Sequence, residues 1–259
     1  MDKNGDDIVM KSEIAQSIKH FLTDGEDYKS FGNCEKFSLV EKPVSSTLCV
    51  NNIKNCMCQN FQIDSKGLST NPKIQMELIK KMNHPNTMNC KAIVLHRTVG
   101  ASAMSSITAG RNTTTGAHFY VDNSKGKDGQ IYQAVSVTSK SNHMGRAPFP
   151  KTIKAGIGNS TAIGIEVSGL YYENKEKWEE LTEKHAKSVA CLLVGLMKHF
   201  NLTYDQVHFH EDLCSKTDYE GRFVWISMKK YLPNPPPPPK PAPYRKPKLV
   251  FHSKFPKEQ

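Results

Sequence analysis

The segment Val207–Phe223 carries side chains that are well suited to metal chemistry. It reads VHFHEDLCSKTDYEGRF, with His210 eight positions before Asp218 and Lys216 two positions before Asp218. In an extended segment, residues two apart project to the same side, so Lys216 and Asp218 are expected to face one cavity. Imidazole and carboxylate both bind Zn²⁺, and a catalytic zinc takes three protein ligands and one water. The segment supplies two of those ligands, or else it is a solvated surface loop.

A further histidine ends a short apolar run. Residues 91–98 read KAIVLHRT, and the β-branched apolar residues predict a buried strand that ends at His96. Ligand sites of open α/β sheets gather at the carboxyl ends of strands. His96 alone is equally explained by a hydrogen bond in the core. Together with His210 and Asp218, it completes a three-ligand set for zinc.

Four separated motifs resemble the type 2 N-acetylmuramoyl-L-alanine amidases, which include phage amidases, bacterial recycling amidases and peptidoglycan recognition proteins. The motifs are the strand ending in His96, GAHFY at 116–120, IGIE at 163–166, and the late histidine followed by KTD at 216–218. They occur in the family's order, and the resemblance spans about residues 91–232.

The resemblance implies a zinc cofactor with three protein ligands, which are His96, His210 and Asp218. It implies that Glu166 and Lys216 assist at the reacting carbonyl. Some relatives use cysteine as the last ligand, a place that Asp218 takes here, and Cys214 is out of that register. Cys214 is therefore interpreted as a bystander.

The patterns predict an α/β fold with a mixed central sheet flanked by helices, and the resemblance implies that this fold is of the peptidoglycan-recognition-protein and amidase type. Residues 117–121 and 130–135 are expected to form a hairpin across a turn, because two short apolar runs flank a Gly-containing segment. Apolar residues at helical spacing predict helices at 71–82, 101–109, 174–200 and 223–231.

The loop 136–160 carries the candidate substrate contacts. Long irregular segments inside a compact domain are often functional. The family has Trp-His-Ala-Gly here, so the resemblance implies that His143 contacts substrate, with Asn142 replacing the tryptophan. Arg146 is a candidate partner for stem-peptide carboxylates. His118, in the GAHFY strand, is also grouped with the substrate-binding residues, although it is expected to pack behind the site rather than to bind metal. For His143, the alternative interpretation is an exposed histidine on a loop.

Glu166 lies in a predicted strand, 162–167, whose alternation puts Ala162, Gly164 and Glu166 on one face. A carboxylate is costly to bury unless it is paired or hydrogen-bonded. Small neighbours on its face leave room for a ligand. The strand therefore indicates a functional role for Glu166.

Length and charge indicate the class of partner. The 259 residues carry a formal charge of +10, and half of it lies from Leu232 onward. A basic surface suits an anionic polymer, either cell wall or nucleic acid. No nucleic-acid motif favours the second, and the resemblance implies peptidoglycan or muropeptide as the partner. A monomer is expected.

Three parts are predicted: an N-terminal extension at 1–88, a zinc amidase domain at 89–232, and a Pro-rich basic tail at 233–259. The extension lacks the apolar region of a secretory signal, and no apolar run is long enough for a membrane span. Five cysteines lie in the extension or just after it, and whether they form disulfides or remain reduced stays open. They are Cys34, Cys49, Cys56, Cys58 and Cys90.

The function that the resemblance implies is hydrolysis of the amide bond between N-acetylmuramic acid and L-alanine. The interpretation is a lytic or secreted effector enzyme that reaches the periplasm or cell wall without a Sec signal, with a secretion-machine or immunity protein as a further partner. Three alternatives stay open: a non-catalytic peptidoglycan recognition module, a cytoplasmic recycling amidase, and a charge-driven nucleic-acid binder whose affinity would fall steeply with salt.

Overall fold

The computed structural model describes residues 61–145, 149–175, 177–217 and 219–236. The strands in these ranges are β1 (Ile74–Met76), β2 (Ala92–Val99), β3 (Phe119–Val121), β4 (Ile131–Gln133), β5 (Ala162–Gly169), β6 (Tyr171–Tyr172), β7 (Lys177–Trp178) and β8 (Val207–Phe209). The helices are α1 (Ala103–Thr113), α2 (Pro150–Lys154), α3 (Glu183–Phe200), α4 (His210–Leu213) and α5 (Glu220–Met228).

Six strands form one mixed sheet in the order β1-β4-β3-β5-β2-β8. Only β3 and β4 pair antiparallel, as the predicted hairpin, and the other neighbours run parallel. The longest pairing joins β2 to β5 over eight residues and sets His96 opposite Glu166. This mixed sheet with helices packed on it confirms the predicted fold class.

Side-chain alternation divides β2 between two layers. Ile93 and Leu95 point into the main core, which is filled by apolar residues of α3 and α5. Val94 points to the opposite face and packs with Met144 and Leu213. His96 shares the face of Val94 because side chains two apart on a strand project the same way. The candidate site therefore lies on the face away from α3.

Two helix predictions were wrong in type or extent. Residues 71–82 contain strand β1 and a short 3₁₀ turn at Lys80–Met82. The helix predicted from 174 begins at Glu183, where the Thr182 hydroxyl caps it by accepting from the His185 N–H. Trp178 instead lies in β7, with its ring 4.9 Å from that of Tyr171.

Several predictions fall outside the described residues, namely those on Asp218, on Arg146, on Cys34, Cys49, Cys56 and Cys58, and on the tail beyond 236. The three-part division of the chain also stays a prediction. Among the described residues, no helix combines the length and apolar character needed to cross a bilayer.

Gly221 permits a close approach between α5 and β2. A Cβ at this position would lie 2.3 Å from the Leu95 carbonyl oxygen and 3.1 Å from the His210 nitrogen. Both atoms are backbone and cannot rotate away. The first turn of α5 therefore reaches the strand just before His96 because residue 221 has no side chain.

We expect Gly221→Ala to lower the free energy of unfolding by about 1–3 kcal/mol, because the added methyl group overpacks a contact made of backbone atoms. The measurement is urea unfolding of both proteins. Gly158→Ala is the matched control, since a Cβ there meets nothing within 4 Å, and its change should stay within about 0.5 kcal/mol. Equal effects of the two substitutions would contradict this account of Gly221.

Candidate metal centre and active site

Three ligand atoms from separate elements converge on one buried point. The Nδ1 atoms of His96 and His210 lie 2.8 Å apart. Glu220 Oε1 is 2.8 Å from His210 Nδ1 and 3.8 Å from His96 Nδ1. Pairing of β8 with β2 places Phe209 opposite Leu95. His210 and His96 directly follow these two residues, so their side chains lie next to each other.

The electrostatics of this group suit a cation. Burial, aided by Lys216, lowers the pKa of His210 to about 3. Burial, aided by the neighbouring histidines and Lys216, lowers the pKa of His96 well below 6.5. Both rings are therefore neutral at pH 7, the form that binds metal. Two neutral nitrogens this close need a proton or a cation between them. Ligand atoms around tetrahedral zinc lie about 3.3 Å apart, so the observed separations fit zinc.

Among the described residues, the carboxylate that meets the two histidines is Glu220. The sequence pointed to Asp218, which lies outside the described residues, whereas the structure brings Glu220 to the histidines. Sequence reasoning missed Glu220 because no motif marks it. The one available signal was its place two residues after Asp218, three residues before the helix predicted at 223–231.

Glu166 enters the same site from β5. Its Oε2 lies 3.9 Å from His96 Nδ1, and its side chain is 18% exposed, which leaves it open to a ligand. Burial, together with the nearby Glu220 carboxylate and opposed by Lys216, raises its pKa to about 8. Burial likewise raises the pKa of Glu220 to about 7. Two carboxylates thus stand beside the histidine pair.

Lys216 is exposed at the rim of this group. Its positive charge lowers the pKa values of His96, His210, Glu166 and Glu220, so it interacts electrostatically with all four groups. The structure thus brings Lys216 together with His96, His210 and Glu166.

His143 lies beneath His96. It is 8% exposed, and its Nδ1 lies 2.8 Å from His96 Nε2. Its other nitrogen, Nε2, donates to the Ala162 carbonyl at 2.9 Å. Both ring nitrogens are engaged inside the protein, so this geometry differs from the substrate contact that we expected. Its ring also fills the space over Gly164 that we had interpreted as room for a ligand.

His118 is fully buried behind the site. Its Nε2 donates to the Ser139 carbonyl, while its Nδ1 accepts from the Gly164 N–H and lies 3.0 Å from the Ser141 hydroxyl. These bonds tie the loop to β5. The ring therefore packs behind the site with both nitrogens engaged inside the protein, which differs from the substrate contact with which His118 was grouped.

Cys214 packs away from the histidine pair. It is buried in an apolar cluster with Met144 and Leu213, and the group of converging metal ligands in the described residues does not include it. This agrees with the interpretation of Cys214 as a bystander.

Comparisons with known proteins identify the relatives of this chain. Residues 86–222 match a family model described as N-acetylmuramoyl-L-alanine amidase. A mutant endolysin from Bacillus subtilis is 25% identical, covers 61% of this chain and 97% of its own, and has a TM-score of 0.43. The endolysin amidase LysCS from Clostridium intestinale is 24% identical, covering 56% and 85% with a TM-score of 0.37. An AmpD derivative is 16% identical, covering 66% and 99% with a TM-score of 0.45. No curated protein matches significantly.

The family model spans more than half of the 259 residues and contains both histidines of the converging pair together with Glu166 and Lys216. The chain therefore belongs to the N-acetylmuramoyl-L-alanine amidase family and is an enzyme of that class.

Proposed function

We propose that this chain is a zinc-dependent peptidoglycan hydrolase that cuts the amide bond between the lactyl group of N-acetylmuramic acid and L-alanine. The observation that carries the proposal is the convergence of two neutral imidazoles and a carboxylate next to Glu166. Neutral imidazole and carboxylate are the ligand types of catalytic zinc sites in hydrolases.

His96 and His210 would hold the metal, and a carboxylate of the segment 218–220 would complete the set. The resemblance favours Asp218, and the distances of 2.8 and 3.8 Å favour Glu220. Zinc bound there would polarise the scissile carbonyl and lower the pKa of a water molecule.

Glu166 is suited to move a proton. It lies beside the converging ligand atoms and is partly exposed, so it is accessible to a substrate and to water. A pKa raised towards 8 lies near the pH at which a group both accepts and releases protons efficiently. We assign Glu166 the transfer of the proton from the attacking water to the leaving amine.

Lys216 is suited to stabilise developing negative charge. It is exposed at the rim, and its field reaches all four groups of the site. A fixed positive charge aimed at a tetrahedral oxyanion lowers the barrier to amide hydrolysis. We assign Lys216 this role.

We also propose cell-wall degradation as the biological role. The formal charge of +10 favours association with an anionic polymer such as the intact wall. A recycling enzyme acts instead on soluble fragments, so the preferred substrate distinguishes the two roles.

The direct test is release of stem peptides that begin with L-alanine from purified sacculi and from soluble muropeptides, followed by mass spectrometry. We expect cleavage of sacculi that stops with a chelator and returns with Zn²⁺, because the metal supplies the activated water. Cleavage of soluble fragments alone would contradict the lytic role. A zinc-loaded protein that cleaves neither substrate would be a recognition module.

Substitution of the two assigned residues should separate catalysis from metal binding. Glu166→Gln is expected to lower kcat/KM by roughly 10²–10⁴-fold and Lys216→Gln by roughly 10²–10³-fold, with zinc content unchanged. Matched controls are Glu180→Gln and Lys125→Gln, which alter exposed side chains outside the site. Turnover within twofold of the parent in either test variant would refute its role.

The third zinc ligand can be identified by comparing Asp218→Asn with Glu220→Gln. The substitution that removes a true ligand should weaken zinc binding by at least about tenfold in competition with a chromogenic chelator, because one of three protein ligands is lost. The other substitution should leave the affinity close to that of the parent. Unchanged affinity in both variants would refute a zinc ligand in this segment.

A further inference from the structure

We propose that His143 is a positioning residue that fixes His96 in the tautomer whose Nδ1 carries a free lone pair toward His210 and Glu220. The inference rests on the proposed function in one respect, since it takes the converging atoms to be metal ligands. Its evidence is a chain of hydrogen bonds in which each partner determines the proton position of the next.

The chain begins at a backbone carbonyl. The Ala162 oxygen can only accept a hydrogen bond, so the nitrogen 2.9 Å from it, His143 Nε2, carries a proton. In a neutral imidazole the other nitrogen is then an acceptor. His143 Nδ1 therefore presents a lone pair to the atom that faces it, which is His96 Nε2 at 2.8 Å.

That lone pair determines the tautomer of His96. Its Nε2 must carry the proton that His143 accepts, so its Nδ1 is unprotonated and directed at His210 Nδ1, 2.8 Å away. The reverse arrangement requires a doubly protonated His143, which is a positive charge on a ring that is 8% exposed and packed against two other histidine rings. Burying such a charge without a paired carboxylate is costly.

The ring of His143 is held in place from two sides. Gly164 on β5 provides the surface beneath it, and a Cβ there would lie 2.7 Å from His143 Cγ and 2.8 Å from its Nδ1. On the other side, Asn159 Oδ1 accepts from the Met144 N–H at 2.8 Å and fixes the backbone next to the histidine. Contact with the Gly164 backbone and the fixed position of the Met144 backbone together orient the His143 ring so that its Nδ1 faces His96.

The role differs from ordinary packing because a partner that accepts the Nε2 proton of a metal-bound histidine sets both its orientation and its basicity. Loss of such a partner typically costs 10–100-fold in metal affinity. The loop 142–145 thus acts on the metal centre through His96 and need not contact substrate to do so.

The test is zinc affinity of the full chain, measured by chelator competition, for three variants. His143→Leu removes the acceptor and should weaken zinc binding roughly 10–100-fold. His143→Asn keeps an oxygen acceptor near the position of Nδ1 and should recover most of that loss. His185→Leu is the control, because His185 is also buried but lies on α3, against the Val121 carbonyl on the opposite side of the sheet. This substitution should leave the zinc affinity of the chain unchanged.

A spectroscopic readout accompanies the affinities. Long-range ¹H–¹⁵N NMR of the metal-free chain should show His96 protonated at Nε2 in the parent and in His143→Asn. In His143→Leu the Nδ1-protonated form should appear. A structural role for His143 alone would change thermal stability without changing this tautomer ratio.

The proposal is overturned if His143→Leu binds zinc as tightly as the parent, if Asn and Leu weaken binding equally, or if His96 of the parent carries its proton on Nδ1. These outcomes are distinct from failure of the proposed function. A parent that binds zinc but leaves peptidoglycan intact refutes the amidase assignment only. If the parent binds no zinc, the tautomer ratio of the metal-free chain decides the role of His143.

Discussion

Two imidazole nitrogens can stay 2.8 Å apart in a buried site only if a proton or a cation lies between them. Every other feature of the site follows from maintaining that separation. Strand β2 carries one ring, and its parallel neighbour β8 delivers the other at the start of α4. Strand β5, on the opposite side of β2, sets Glu166 level with His96. The site is thus built on three adjacent strands that the core holds in register.

The remaining groups compensate for the cost of burying so many polar atoms. Each buried histidine on this face finds a backbone or side-chain partner, and the carboxylates of Glu166 and Glu220 face the cluster from two directions. Lys216 balances those carboxylates from the rim. A bound cation would complete this balance by replacing the proton that the metal-free site requires.

The sequence predicted the strands of this site well because their signals are local. β-branched apolar runs mark β2 and β5, and a turn marks the hairpin of β3 and β4. Local signals failed at residues 71–82, where closely spaced apolar residues suit a helix or a strand and pairing with β4 selects the strand. They also failed at 174–182, where Trp178 packs over the buried Arg97 guanidinium instead of joining the helix. Neither Glu220 nor the contact of His143 with His96 has a local signal, because each depends on chain segments that meet only in the folded sheet.

The histidine pair joins residues that are 114 positions apart in the chain. Contacts of such long range form late, since the entropy of closing the intervening chain must be overcome first. During synthesis, the ribosome releases His96, His143 and Glu166 well before His210 exists, so the emerging chain holds an incomplete set of ligands. Under the proposed zinc function, the metal would bind only after the sheet has closed with β8 at its edge, and a chain truncated before His210 would lack one of the two histidine ligands.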